Sequence, residues 1–255
     1  MKPERVEVGD AVLFLGDAFD VLPKLDTQSD AIISDPPYGL TDCDWDDAIP
    51  LDKFWAMVES RMKPSANVVL FGCGKFSVAL VNSKPKWYRY DLIWQKNKKC
   101  GFLNAGLMPM RSHEQVLVFG QPGFLRETTY NAQKVSGGRA GVKTTNHRSN
   151  IYGFKGNYVH HHDGTQHPGS ILHFKHDRDN AAKHPTRKPL ALMEFLIRSY
   201  TNENDIVVDL FCGSGTTGVA AINAGRRFIG IEREKKYFDI AVQRVEEAYA
   251  ALDEH

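Results

Sequence analysis

The chain has little cysteine, no long apolar run and almost no net charge. Its four cysteines, Cys43, Cys73, Cys100 and Cys212, lie far apart and form no CxxC pair. That spacing argues against a disulfide framework or a structural zinc site and fits a reducing cytoplasm. No stretch approaches the roughly 18 consecutive apolar residues of a membrane span, so no membrane association is expected. The opening MKPERVEVGD is charged and lacks the apolar segment of a secretory signal. The phosphate-cradling pattern GxxxxGK[ST] is absent, which removes a P-loop nucleotidase. A net charge of +1 points to no class of partner by itself.

What is present suits one folded α/β domain with a modest insertion. The 255 residues include 14 Phe, 9 Tyr and 4 Trp, ample material for a core. Apolar runs of strand length alternate with amphipathic stretches. Strands are predicted at Ala11–Leu15, Ala31–Ser34, Asn67–Phe71, Tyr88–Trp94, Gln115–Phe119, Ile206–Leu210 and Arg227–Glu232. Helical spacing is predicted near Phe19–Leu25 and at Leu51–Met62, Lys75–Val81, Leu190–Tyr200, Thr216–Ala224 and Lys235–Leu252. Strands separated by helices imply a largely parallel sheet covered on both faces.

Between Gln121 and Lys183 this pattern dissolves into a glycine-punctuated polar stretch. It carries nine Lys/Arg against four Asp/Glu, and the remainder of the chain 23 against 27. A basic insertion on a slightly acidic body suits a polyanion, although a solvated loop has the same composition. Residues 1–120, 121–183 and 184–255 are therefore read as a first half, an insertion and a second half of one domain. Arg139, Lys143 and Arg148 are its candidate polyanion contacts. The histidines at 160, 161, 162, 167, 173 and 176 match no familiar ligand spacing, and no metal is expected.

Two loops carry chemistry. In the first, a buried strand runs into Phe211-Cys212-Gly213-Ser214-Gly215, and a helix opens at Thr216 and Thr217. Strand, tight turn and helix form the arrangement that receives nucleotide-like ligands at a strand's carboxyl end. A second strand then ends in Glu232, a carboxylate suited to the two ribose hydroxyls of an adenosine. Asp209 precedes the glycines. It would repel a pyrophosphate but attract the cationic methionine end of S-adenosylmethionine.

The second loop, Asp35-Pro36-Pro37-Tyr38, follows another buried strand. Two prolines stiffen it and push the preceding residues to extended geometry. An exocyclic amino group on a base is a poor nucleophile because its lone pair is delocalised. Accepting one amino hydrogen at the Asp35 carboxylate and the other at the Pro36 carbonyl would localise that pair. Tyr38 can stack on an extruded base, which the site requires because a base inside the duplex is out of reach.

Together these loops resemble the signatures of the amino-group DNA methyltransferases, DPPY type. The catalytic motif precedes the cofactor motif, as in the beta group of that family, whose target-recognition region lies between the two. His184-Pro185-Thr186-Arg187-Lys188-Pro189 resembles the family segment at the methionine end of the cofactor, which implies Thr186 or Lys188 at its carboxylate. Gly16-Asp17-Ala18-Phe19 resembles the turn at the adenine edge, and Asp17 equally suits a helix cap. Arg111-Ser112-His113-Glu114 also resembles the family and is expected to be structural.

The resemblance implies a Rossmann-like S-adenosylmethionine-dependent methyltransferase fold, a seven-stranded, mostly parallel sheet with a loop-rich target-recognition insertion. It implies methyl transfer to N6 of a flipped-out adenine in double-stranded DNA, with a homodimer as the expected assembly. Aspartate at position 35 favours adenine over cytosine N4. Methylation of cytosine carbon-5 needs a thiolate, and no Pro-Cys pair occurs. A nicotinamide-dependent oxidoreductase would explain the glycine loop but leave Asp35–Tyr38 unused. A DNA-binding protein without catalysis would need neither motif.

Overall fold

The computed structural model describes residues 3–39, 48–137, 140–149, 154–175 and 187–253. Its elements in chain order are β1 (Glu4–Val8), β2 (Ala11–Leu15), α1 (Ala18–Val21), β3 (Ser29–Ser34), α2 (Leu51–Arg61), β4 (Met62–Gly72), α3 (Gly74–Ser83), β5 (Tyr88–Cys100) and β6 (Arg111–Phe119). There follow β7 (Val135–Ser136), β8 (Gly141–Ser149), β9 (Phe154–His162), β10 (Thr165–Gln166), β11 (Ile171–His173), α4 (Leu190–Tyr200), β12 (Ile206–Asp209), α5 (Thr216–Asn223), β13 (Arg227–Glu232) and α6 (Lys235–Asp253).

The chain divides into two compact units. One joins Met1–Asn131 to Ser170–His255, and the other is Ala132–Gly169. The first unit is built on a nine-stranded sheet ordered β1-β2-β13-β12-β3-β4-β6-β5-β11. Its five central strands, from β2 to β4, are parallel to one another, and β6 and β5 continue the sheet antiparallel. Seven strands are thus those of the expected fold. Two more extend the edges: β1 antiparallel to β2, and the three-residue β11 parallel to β5. Composition hides β1 because ERVEV is charged and mostly exposed.

The central strands read as continuous apolar runs because both faces are covered. Successive side chains point to opposite faces, so β3 sends Ala31 and Ile33 into one apolar layer and Ile32 into the other. β4 does the same with Val69 and Phe71 against Val68 and Leu70. The first layer is closed by α4, α5 and α6 through residues such as Leu196, Ala220 and Phe238. The second is closed by α2 and α3 through Phe54, Trp55, Val58 and Leu80. Each fully buried side chain of this size contributes roughly 1.5–3 kcal/mol of transfer free energy. The apolar face expected on α2 included Met62; that residue is buried but opens β4 instead.

The second unit contains ordered strands where composition suggests only loop. β8 and β9 pair antiparallel over nine positions, from Gly141 opposite His162 to Ser149 opposite Phe154. β7 and β10 form a second short ladder. Glycine and polar residues conceal these strands because their pairing is supplied by backbone groups, which carry no sequence signature.

Candidate active site

The two chemical loops meet because their strands are neighbours. β12 pairs with β3 through Val207 opposite Ala31 and Val208 opposite Ile32. Each strand is followed in sequence by a strand on its outer side, so the chain reverses direction of travel between them. Ligands of open α/β sheets bind at the carboxyl end of such a reversal. A cavity of about 440 Å³ opens there.

The glycine loop is held by hydrogen bonds from three elements. The Ser34 hydroxyl, last in β3, donates to Asp209 Oδ1 at 2.6 Å, and the Thr217 hydroxyl donates to Oδ2 at 2.5 Å. The Phe211 N–H also donates to Oδ1, at 3.2 Å. Asp209 therefore pins β3, β12 and the start of α5 together, in addition to lining the cavity. Burial raises its pKa to about 6 against these donors. Glu232 accepts from the Gly213 N–H at 2.8 Å and the Glu234 N–H at 2.8 Å, and burial raises its pKa as well. Gly215 has φ +75°, and a Cβ there would stand 2.9 Å from Ala241 on α6, so the turn needs glycine twice over. Arg244 of α6 clamps the same loop, donating to the Ser214 carbonyl at 2.5 Å and to Thr216 Oγ1 at 3.0 Å.

The other loop ends in a ladder of alternating charge. Asp35 Oδ2 accepts from Lys188 Nζ at 2.5 Å, and Oδ1 accepts from the Tyr38 hydroxyl at 2.5 Å. Lys188 also meets Glu114 Oε2 at 3.1 Å, and Glu114 Oε1 meets Lys96 Nζ at 2.6 Å. Burial lifts the Asp35 pKa; Lys188 pulls against it and Glu114 adds to it. Burial opposes the Lys188 ammonium, yet Asp35 and Glu114 outweigh it and raise its pKa. Lys188 also lies 4.8 Å over the Phe71 ring, and the Tyr38 ring packs at 5.0 Å against Phe76.

Most of the residues expected at the site line one cavity: Asp17, Ala18, Asp35, Pro37, Lys188 and Asp209 from both loops and their flanks, with Phe211, Gly213, Ser214, Thr216, Thr217 and Glu232 completing the glycine side. Pro36 is buried, Tyr38 is tied to Asp35, and Gly215 supports the turn; these three are not among the lining residues. Asp17 does cap α1, accepting from the Phe19 N–H at 2.8 Å. Lys188, expected beside a methionine carboxylate, lines the cavity with its ammonium between Asp35 and Glu114. Thr186 and Arg139 fall outside the described residues. Lys143 and Arg148 sit on β8, opposite His160 and Lys155.

Sequence reading missed Ser34, Arg244 and the contact of Glu114 with the site. Only Glu114 had a signal, its place in a familiar segment. Ser34 becomes visible when strands 175 residues apart are laid side by side, and Arg244 when α6 packs over the glycine turn.

A family model described as DNA methylase matches residues 29–243, from the start of β3 into α6. The chain belongs to the N6/N4 DNA methylase family. Among curated relatives, the type II methyltransferase M2.LlaDCHI of Lactococcus lactis subsp. cremoris is 28% identical over 94% of this chain and 90% of its own. The DNA adenine methyltransferase YhdJ of Escherichia coli K12 is 28% identical over 91% and 82%. The crystal structure of an M1.HpyAVI–SAM complex superposes with TM-score 0.63 at 27% identity, covering 91% of this chain and 98% of that one. The cytosine-N4-specific PvuII DNA methyltransferase, TM-score 0.66 at 17% identity, covers 95% and 91% and shows the shared fold.

The methylase cavity fits the cationic cofactor of such enzymes. Asp35, Asp209 and Glu232 all line it, and burial raises the pKa of each, so a cationic ligand would offset their charge. Among the described residues no helix is long and apolar enough to cross a membrane.

Proposed function

We propose that this methylase transfers a methyl group from S-adenosylmethionine to N6 of an adenine extruded from double-stranded DNA. The observation that carries the reading is that the Asp35 carboxylate and the Asp209–Glu232 glycine loop open into one cavity. Aspartate rather than serine at the head of the catalytic loop supports adenine, as does similarity to a relative named as an adenine methyltransferase.

S-adenosylmethionine, when bound, supplies the methyl as an electrophile on sulfur. Glu232 is assigned to the ribose hydroxyls, Asp17 and Ala18 to the adenine edge, and the loop from Asp209 to Thr217 to the methionine end. Asp35 accepts one hydrogen of the target amino group and the Pro36 carbonyl accepts the other, which turns the nitrogen lone pair out of the base ring. As the nitrogen–carbon bond forms, the sulfur–methyl bond would break and its electron pair would stay on sulfur as a neutral thioether; the nitrogen would be left positive, and Asp35 would take its surplus proton and release it to water. Lys188 holds the Asp35 carboxylate in place meanwhile. Tyr38 donates to Asp35; an arriving amino group would compete for that oxygen and release the ring to stack on the base. Arg139, Lys143 and Arg148 are assigned to DNA phosphates.

Methylation of mixed-sequence DNA with labelled cofactor, followed by nucleoside digestion and mass spectrometry, tests the assignment. N6-methyladenine is expected. N4-methylcytosine would replace adenine by the alternative base while keeping the site. Binding of a nicotinamide dinucleotide in calorimetry, with none for S-adenosylmethionine, would overturn the methyltransferase mechanism.

A further inference from the structure

The β5–β6 hairpin leaves the catalytic site and ends in apolar side chains standing in water. At its base, Trp94 pairs with Glu114, and Glu114 reaches Asp35 through Lys188. Beyond Gln95, which faces His113, β5 bulges through Lys96–Lys99 before Cys100 pairs with Arg111, two residues from His113 on β6. There Phe102, Leu103, Leu107 and Met108 are 77%, 95%, 85% and 58% exposed.

The tip is a built turn rather than slack chain. Gly101, at φ +89°, starts it, and the Asn104 N–H donates to the Gly101 carbonyl at 3.1 Å. The Leu107 N–H donates to the Asn104 carbonyl at 2.9 Å. Contiguous exposed apolar groups rimmed by polar residues mark a contact surface.

Charge identifies the partner. Residues 95–111 contain Lys96, Lys98, Lys99 and Arg111 and no carboxylate. Lys96 is paired with Glu114, whereas no carboxylate among the described residues is ion-paired with the other three. A tip-to-tip contact between two copies would bring like charges together. A polyanion with an apolar interior fits both features. Apolar side chains inserted between base steps unstack them, and adjacent cations hold the phosphates.

We propose that the hairpin tip is a DNA wedge: Phe102, Leu103, Leu107 and Met108 press into the stack beside the base entering the cavity, while Lys98 and Lys99 hold flanking phosphates. The inference rests on the methyltransferase reading above. It assigns the extrusion step to a surface outside both sequence motifs.

The full chain is compared with a Phe102→Ser/Leu103→Ser/Leu107→Ser variant on two duplexes carrying a mapped target site. In one the target base is paired; in the other it faces an abasic site, so no pairing resists extrusion. Methyl incorporation by the variant should fall at least tenfold on the paired duplex and less than threefold on the abasic one. Losses on the two duplexes that differ by less than threefold overturn the wedge. Such matched losses, combined with dissociation of a dimer in light scattering, assign the tip to a second copy. The substitutions touch only exposed side chains, and an unchanged melting temperature verifies the fold. Separately, Lys98→Ala/Lys99→Ala should lower the slope of log affinity against log salt by about two, and an unchanged slope removes these lysines from the phosphates. Wild-type protein that methylates neither duplex refutes the methyltransferase reading itself. In that case 2-aminopurine at the target position reads extrusion without chemistry. Fluorescence enhanced by the wild type and not by the variant upholds the wedge; equal signals overturn it.

Discussion

Asp35 stands at the end of a four-membered charge ladder, and its neighbours set both its position and its ionisation. Replacing Asp35 by Ala removes the hydrogen-bond acceptor and is expected to lower methyl incorporation at least 100-fold. Calorimetric affinity for S-adenosylmethionine should stay within threefold, because Glu232 and the glycine loop remain intact. Glu114 acts at one remove. Its charge raises the Asp35 pKa, and the proposed reaction needs Asp35 ionised, so activity is expected to fall as pH drops through that raised value. Glu114→Gln removes the push, lowers the Asp35 pKa and moves the acid limb of the kcat/KM profile to lower pH. It also leaves Lys188 wholly to Asp35, weakening the carboxylate as an acceptor, and the plateau should fall about tenfold. An acid limb that stays in place would show that Glu114 only fills space.

At the scale of elements, the site depends on loops stitched across neighbouring strand ends. The Gly16 N–H donates to the Glu232 carbonyl at 2.9 Å and the Cys212 N–H to the Ile231 carbonyl at 3.0 Å, so the ends of β2, β13 and β12 move as one. Gly215 is where this arrangement has least room. In Gly215→Ala the new Cβ would meet Ala241 while the residue keeps a left-handed backbone. The two penalties together should cost roughly 1–3 kcal/mol, read as a lower thermal midpoint, with weakened cofactor binding because Gly213 and Ser214 share the turn. A midpoint within a degree of wild type would mean that α6 yields freely. Helix and strand positions in the first unit follow the apolar pattern closely: β2, α4 and β13 have their expected bounds. β5 runs six residues beyond the expected Trp94, because Gln95–Cys100 is polar and is held to β6 at its two ends, Gln95 opposite His113 and Cys100 opposite Arg111, across a bulge.

For the whole molecule, the partner of a DNA methylase is a polyanion, and Lys143 and Arg148 on β8 of the second unit are proposed to meet it. Lys143→Ala/Arg148→Ala is expected to weaken DNA binding and flatten its salt dependence by about two in log–log slope. Filter binding at several salt concentrations measures this. A slope equal to that of wild type would take β8 out of the interface. Of the candidate site, Asp35, Asp209, Gly213 and Glu232 were legible because each ends an apolar run, where parallel sheets place ligands. The role of Glu114 beside Asp35 was not, although its segment was familiar, and Lys96 was not, since polar strand ends look like any sheet edge. The apolar hairpin tip was hidden for the opposite reason. GFLNAGLMPM reads as core-forming sequence until the fold leaves it without a core to join.

The sequence by itself determined the seven strands at the heart of the sheet, the helices and the residue chemistry of both loops, because periodicity and local turn chemistry are short-range properties. Only the tertiary structure decided that β3 and β12 are neighbours, that Ser34 therefore pins Asp209, and that Lys188 lies between Asp35 and Glu114. Those contacts join residues far apart in the chain. Their energies depend on burial and distance, which exist only once both apolar layers have closed on the sheet.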